Sequence, residues 1–212
     1  MSKQLRDRTL GVLACVLPWL LAGCFGPGNI PETRHYRIAV APPSPSSQAP
    51  LPITLGVAAL SGPETYRQDR LVYRSGPYRV DSYPYDRWEA PPVTMMTDAL
   101  AAHLRAARFF RQVVPYQLDG RVDYVLRGRL LRFDEEDGGP GTPWTAVVEL
   151  EYEVLEAKGG NVVSTGVARA ALPVEGRQPI SIVAALSQAS RDALGALAAQ
   201  VAGALAAAPV RR

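Results

Sequence analysis

Thr145–Glu156 reads TAVVELEYEVLE. Ala146, Val148, Leu150, Tyr152 and Val154 fall on one side of an extended chain, and Glu149, Glu151 and Glu153 on the other. Because side chains alternate along a strand, this pattern predicts a strand with one dry and one wet face, the habit of antiparallel sheets. Upstream, Arg121–Phe133 alternates through Val122, Tyr124, Leu126, Gly128 and Leu130, then changes phase to Leu131 and Phe133, which predicts a bulge. Downstream, Lys158-Gly159-Gly160 supplies a turn into a third strand, Asn161–Leu172. Two helices flank these strands. Pro91-Pro92 stop what precedes, and a helix from Val93 or Thr94 to about Arg108 carries Val93, Met96, Leu100, Leu104 and Ala107 at spacings of three and four. A last helix, Pro179–Ala207, has Val183, Leu186, Leu194, Leu197, Val201 and Leu205 on one side, with alanines that suit close packing on a sheet. Nearer the N-terminus, Arg34–Val40 and Ile53–Leu60 read as strands around a proline-rich loop, Ala41–Pro52. Leu71–Arg74 and Tyr78–Ser82 form a hairpin about Ser75-Gly76-Pro77. Clustered strands with two helices to cover one face give an α+β two-layer sandwich, its sheet mainly antiparallel.

The first thirty residues carry a different signal. Lys3, Arg6 and Arg8 precede an uncharged run, Leu10–Ala22 (LGVLACVLPWLLA). At about a dozen residues it is short of the roughly 20 needed to span a bilayer core, and it fits the apolar region of a signal peptide. The order Leu21-Ala22-Gly23-Cys24 resembles the lipobox of bacterial lipoproteins, which implies cleavage before Cys24 and acylation of its sulfur. The resulting division is a signal peptide over 1–23, a lipidated tether over 24–33 and a folded domain over 34–212. Phe25 follows the cysteine where an aspartate would favour retention at the inner membrane, so the expectation is an outer-membrane anchor facing the periplasm.

Composition narrows the chemistry. Of 23 basic and 20 acidic residues, Lys3, Arg6, Arg8 and Asp7 lie in the leader, leaving the rest near a charge of +1. No general field draws such a domain to nucleic acid. The only other cysteine, Cys15, is also in the leader, so Cys24 has no disulfide partner and no CxxC site exists. A Ser-His-Asp triad would have to use His35 or His103, and no G-x-S-x-G, H-E-x-x-H, P-loop or G-x-G-x-x-G occurs. His103, beside the apolar stripe with no second histidine at i±4, reads as a boundary residue. The run Asp134-Glu135-Glu136-Asp137 precedes Gly138-Gly139-Pro140-Gly141 and lacks the spacing of a calcium loop, so it reads as a solvated hairpin tip. The sequence points to no metal, no cofactor and no enzyme.

Between Glu64 and Glu89, Tyr66, Tyr73, Tyr78, Tyr83, Tyr85 and Trp88 interleave with Arg67, Arg70, Arg74, Arg79 and Arg87, whose charges are cancelled by five acidic residues. Tyrosine, tryptophan and arginine are enriched at interface hot spots. The same residues could equally pack on the domain's own core, and the sequence leaves both readings open.

The lipobox, the Tyr36-Arg37-Ile38 strand, the apolar ITLGVAAL, Pro63 and Tyr66 ahead of Asp69-Arg70-Leu71-Val72, Arg87-Trp88 before a helix, and Phe109-Phe110…Val113 after it come in a telling order. Together they resemble the auxiliary lipoproteins of ABC-type transport systems, the PqiC (YmbA) family. The resemblance covers nearly all of the chain after Cys24. It implies a non-catalytic, periplasm-facing lipoprotein that acts with MCE-domain proteins, which form lipid-conducting assemblies between the two membranes. It makes Cys24 the anchor and Tyr66, Arg70, Tyr73, Arg87 and Trp88 a candidate docking surface, and a homo-oligomer is compatible with such a partner. A different class, a structural lipoprotein assisting a secretion channel, a pilus or peptidoglycan synthesis, would use the same anchor and fold.

Overall fold

Strand order follows from one long strand that other strands share. The structure, a computed structural model, describes residues 31–117, 121–176 and 178–208; the leader, Cys24, Phe25 and the first part of the tether lie outside the described residues. Its elements are β1 (Arg34–Tyr36), β2 (Leu51–Val57), β3 (Arg70–Arg74), β4 (Val80–Trp88), α1 (Pro92–Ala107), β5 (Phe110–Pro115), β6 (Tyr124–Glu136), β7 (Thr145–Glu156), β8 (Val162–Pro173) and α2 (Pro179–Ala207). Along one edge of β6 runs β7, antiparallel over the whole strand, and β8 continues antiparallel beyond it. Along the other edge lie two strands end to end. Leu55–Val57 of β2 pair with Tyr124–Leu126, and Tyr73 and Arg74 of β3 pair with Glu135 and Glu136, both parallel. Ser61 bridges Arg129 between them. The sheet therefore forks: β5 adds to β2, while β4 and then β1 add to β3.

The α+β sandwich read from the sequence is what forms, with eight strands in a mixed sheet. The long ladders are antiparallel, and the wet-face alternation of β7 reflects them. Each parallel pairing involves at least one short strand, β1, β2, β3 or β5. The bulge announced by the phase change lies between Leu130 and Arg132. β2 covers Leu51–Val57 rather than Ile53–Leu60, β6 covers Tyr124–Glu136 rather than Arg121–Phe133, and three further elements differ from expectation. The first strand stops at Tyr36. β4 runs on to Trp88 through Pro84, which sits where β4 pairs with neither β3 nor β1, so its missing N–H costs no ladder bond. Phe110–Pro115 is a strand beside β2, reached because Arg108 caps α1 in the left-handed region (φ 56) and turns the chain back.

The helices cover the sheet as their stripes require. α2 packs on β6, β7 and β8, α1 packs on β5, and the two helices touch. Met96, Leu100 and Leu104 of α1 and Ile182, Leu186 and Leu194 of α2 are buried with Leu55, Leu126, Leu130, Phe133, Val148, Leu150 and Val154 of the sheet. Each such side chain contributes about 1.5–3 kcal/mol. Ala189, Ala193 and Ala198 bring α2 close to the strands. Close approach also explains Gly166: a Cβ there would meet the Tyr152 hydroxyl at 2.7 Å, and that ring crosses β8 to donate to Gln200 Oε1 at 3.1 Å.

His103 is buried rather than at a boundary, packed near Gly195 of α2, and its Nδ1 has no hydrogen-bond partner. Burial lowers its pKa from the ordinary 6.5. The unfolded chain therefore takes up a proton at this site before the folded one does, and stability falls as pH drops below 6.5. His103→Leu removes the orphaned nitrogen and this dependence. Urea midpoints measured between pH 8 and 5 should show the wild-type falling relative to the variant across the acidic half; parallel curves would contradict it.

Candidate functional site

The aromatic and arginine-rich stretch is divided between core and surface by the register of three strands. Opposite Arg70 on β3 stands Arg87 on β4, and Arg87 also lies beside His35 of β1. Two facing guanidiniums repel, and the nearby carboxylate of Asp69 takes Arg87 at 3.4 Å, leaving Arg70 exposed. Arg34 pairs with the buried Asp86 at 2.9 Å, and the Tyr36 hydroxyl donates to the same carboxylate at 3.1 Å, tying β1 to β4.

Two of the five residues considered for a docking surface are interior. Tyr66, in the 3-10 turn Glu64–Tyr66, and Trp88 are each 1% exposed. Trp88 packs edge-on against Phe133 with ring centroids 5.3 Å apart. Tyr66 donates its hydroxyl to Asp134 and accepts from Arg74 Nη2 at 3.1 Å. Arg70, Tyr73 and Arg87 keep exposed or half-buried surface on the hairpin. Hydropathy does not separate a buried from an exposed tyrosine. The partner does: Tyr66 has the buried Asp134 waiting for it.

That carboxylate belongs to the acidic run, which is not a solvated tip. Asp134 is 0% and Glu135 2% exposed, because both lie within β6; the tip proper starts after Asp137, whose Oδ1 accepts from the Gly139 N–H at 2.9 Å. Asp134 is held by Arg74 Nε at 2.7 Å and by Arg132 Nε at 3.0 Å, and Arg132 also reaches Glu136 at 3.2 Å. Burial works against the Arg132 charge, but the hydrogen bonds and charge attraction from Asp134 and Glu136 together outweigh it and raise the pKa. No buried side-chain polar atom of the cluster lacks a partner, which suits a frame.

Glu135 faces a different setting. Its register partner on β3 is Tyr73, and Tyr83 of β4 donates its hydroxyl to Glu135 Oε2 at 2.7 Å. Tyr73 lies 5.0 Å from Tyr83 and 6.0 Å from Trp144, centroid to centroid, both tilted. With Ser82 and Pro84 these residues line an open cavity of about 310 Å³. Burial raises the Glu135 pKa, the hydrogen bond from Tyr83 opposes this, and Asp137 adds to the rise. No arginine or lysine pairs with Glu135 among the described residues. Sequence reading missed this cavity because Glu135 and Trp144 come from outside the stretch.

Among the described residues no group of three or more histidines, cysteines, aspartates and glutamates could hold a metal, and no described helix is long and apolar enough to cross a membrane. His35 lies on β1 and His103 inside the helical layer, each with its own neighbours.

Fold and site together define a small α+β domain whose buried polar groups frame its sheet and whose accessible chemistry is a hairpin of arginines and aromatic rings. Residues 36–202 match the family of ABC-type transport auxiliary lipoprotein components, and the chain belongs to that family. No curated protein matches. Among solved structures, a Xanthomonas campestris protein of the DUF330 family is similar at 21% identity with a TM-score of 0.74, covering 82% of this chain and 97% of its own. An uncharacterised protein is similar at 15% identity and TM-score 0.64, covering 81% and 99%. A hypothetical protein from Chlamydia trachomatis is similar at 7% identity and TM-score 0.53, covering 74% and 100%. At these identities the likeness is one of fold.

Proposed function

We propose that this chain is a lipid-anchored, non-catalytic component that docks the MCE-domain protein of an ABC-type transport system at the outer membrane, on its periplasmic side. The observation that carries the reading is membership of the transport-auxiliary lipoprotein family across residues 36–202. The sequence adds an anchor: acylation at Cys24 contributes about 0.8 kcal/mol for each methylene buried in the bilayer, so several chains hold firmly. The structure adds a surface suited to contact, with Arg70, Tyr73 and Arg87 on the β3–β4 hairpin. Tyr66 and Trp88 support that hairpin from inside. Among the described residues β8 pairs only with β7, which leaves its other edge for strand addition by a second copy of the chain.

Affinity capture of the tagged, lipidated chain from envelope membranes tests the reading. Recovery of an MCE-domain protein is the expected result. Recovery of secretion, pilus or peptidoglycan-synthesis components in its place would transfer the protein to the other class of envelope machine.

A further inference from the structure

We propose that the cavity lined by Tyr73, Tyr83, Trp144 and Glu135 is a cage for a lysine side chain of a partner protein. Three rings from three segments converge there: Tyr73 from β3, Tyr83 from β4 and Trp144 from the residue before β7. Aromatic faces attract cations through their quadrupoles, and the attraction strengthens as water is excluded. The carboxylate gives the cage its sign. Glu135 is 2% exposed and, unlike Asp134 beside it, has no cation of its own among the described residues. Tyr83 satisfies Oε2 and leaves Oε1 without a donor from the described residues. Oε1 is not a buried orphan and faces the open cavity, where an incoming ammonium group can take the place of water.

The lining also separates sources of an ammonium. In a lipid headgroup a phosphodiester sits a few atoms from the nitrogen and needs a basic partner. Tyr73, Ser82, Tyr83, Pro84, Glu135 and Trp144 include none. A lysine reaches its nitrogen through four methylenes and carries no anion, so its stem can lie on the rings while its head meets the carboxylate. The inference rests on the hairpin being the docking face proposed above and names the group that face receives.

The test uses the full-length chain in detergent micelles, titrated with Nα-acetyl-lysine methylamide and with its neutral isostere, Nα-acetyl-norleucine methylamide. The indole resonance of Trp144 is the reporter. The lysine amide should shift it saturably and the norleucine amide should not. Glu135→Gln keeps the acceptor for Tyr83 but drops the charge, and should weaken binding by about tenfold. Tyr73→Leu keeps the carboxylate and should weaken it severalfold, and it decides the matter if the glutamine variant folds poorly. Equal binding of the two amides, unchanged affinity in both variants, or a shift produced only by phosphatidylethanolamine vesicles would overturn the proposal. The titration contains no transport protein, so it can fail while capture of the MCE partner succeeds, or succeed while capture fails.

Discussion

Asp134→Ala should lower the free energy of unfolding by about 3–5 kcal/mol, the range for breaking a buried ion pair from one side. Three groups lose their partner at once. The Tyr66 hydroxyl loses its acceptor in the interior, and Arg74 and Arg132, whose side chains are only 27% and 21% exposed, keep their charges with little water and without Asp134. Arg132 retains Glu136 at 3.2 Å, which limits the loss on that side. For a domain of this size the melting temperature should fall by roughly 10 °C. Tyr66→Phe is the milder companion: it removes the hydrogen bond to Asp134 and the one from Arg74 but leaves Arg74 and Arg132 paired with the carboxylate, at a cost of about 1.5–3 kcal/mol. Urea denaturation of both variants checks the order. An alanine variant as stable as the wild-type would mean that the cluster is not the frame described here.

Cys24→Ser is expected to have the largest effect in cells and almost none on folding. The serine leaves the domain from Arg34 onward unchanged, so its thermal transition should match that of the wild-type. Without the acyl group, however, the domain is no longer held at a surface. Restricting two partners to one membrane raises their effective concentration by orders of magnitude, and releasing one forfeits an avidity gain of about 10²–10⁴. Complementation of a deletion strain should therefore fail at native expression and recover on strong overproduction. Full complementation by the unanchored chain at native levels would remove tethering as a requirement.

The fold was most legible where one physical rule acted alone. β7 and α2 begin and end where their patterns do, because a half-buried antiparallel strand and a long amphipathic helix each leave a periodic trace. β6 showed its bulge as a phase change for the same reason. The short parallel strands left no such trace. Phe110–Pro115 becomes a strand only because β2 lies beside it, and Pro84 hid the second half of β4. At the candidate site, composition singled out Arg70, Tyr73 and Arg87, the exposed or half-buried candidates, alongside Tyr66 and Trp88. Their division from Tyr66 and Trp88 could not be read from it, since that depends on Asp134 and Phe133 arriving from a distant strand. The acidic run misled because four consecutive carboxylates normally seek water. Arg74, Arg132, Tyr66 and Tyr83 converge on two of them and make burial tolerable.

The proposed role depends on a lipidated sulfur that fixes a contact-making domain at a membrane. Mass spectrometry of the N-terminal peptide of the native protein, purified from envelope membranes, tests this most directly. The expected peptide begins at Cys24 and carries acyl chains on its sulfur and its amino group. A peptide that retains the leader, or one with a free thiol at Cys24, would contradict it.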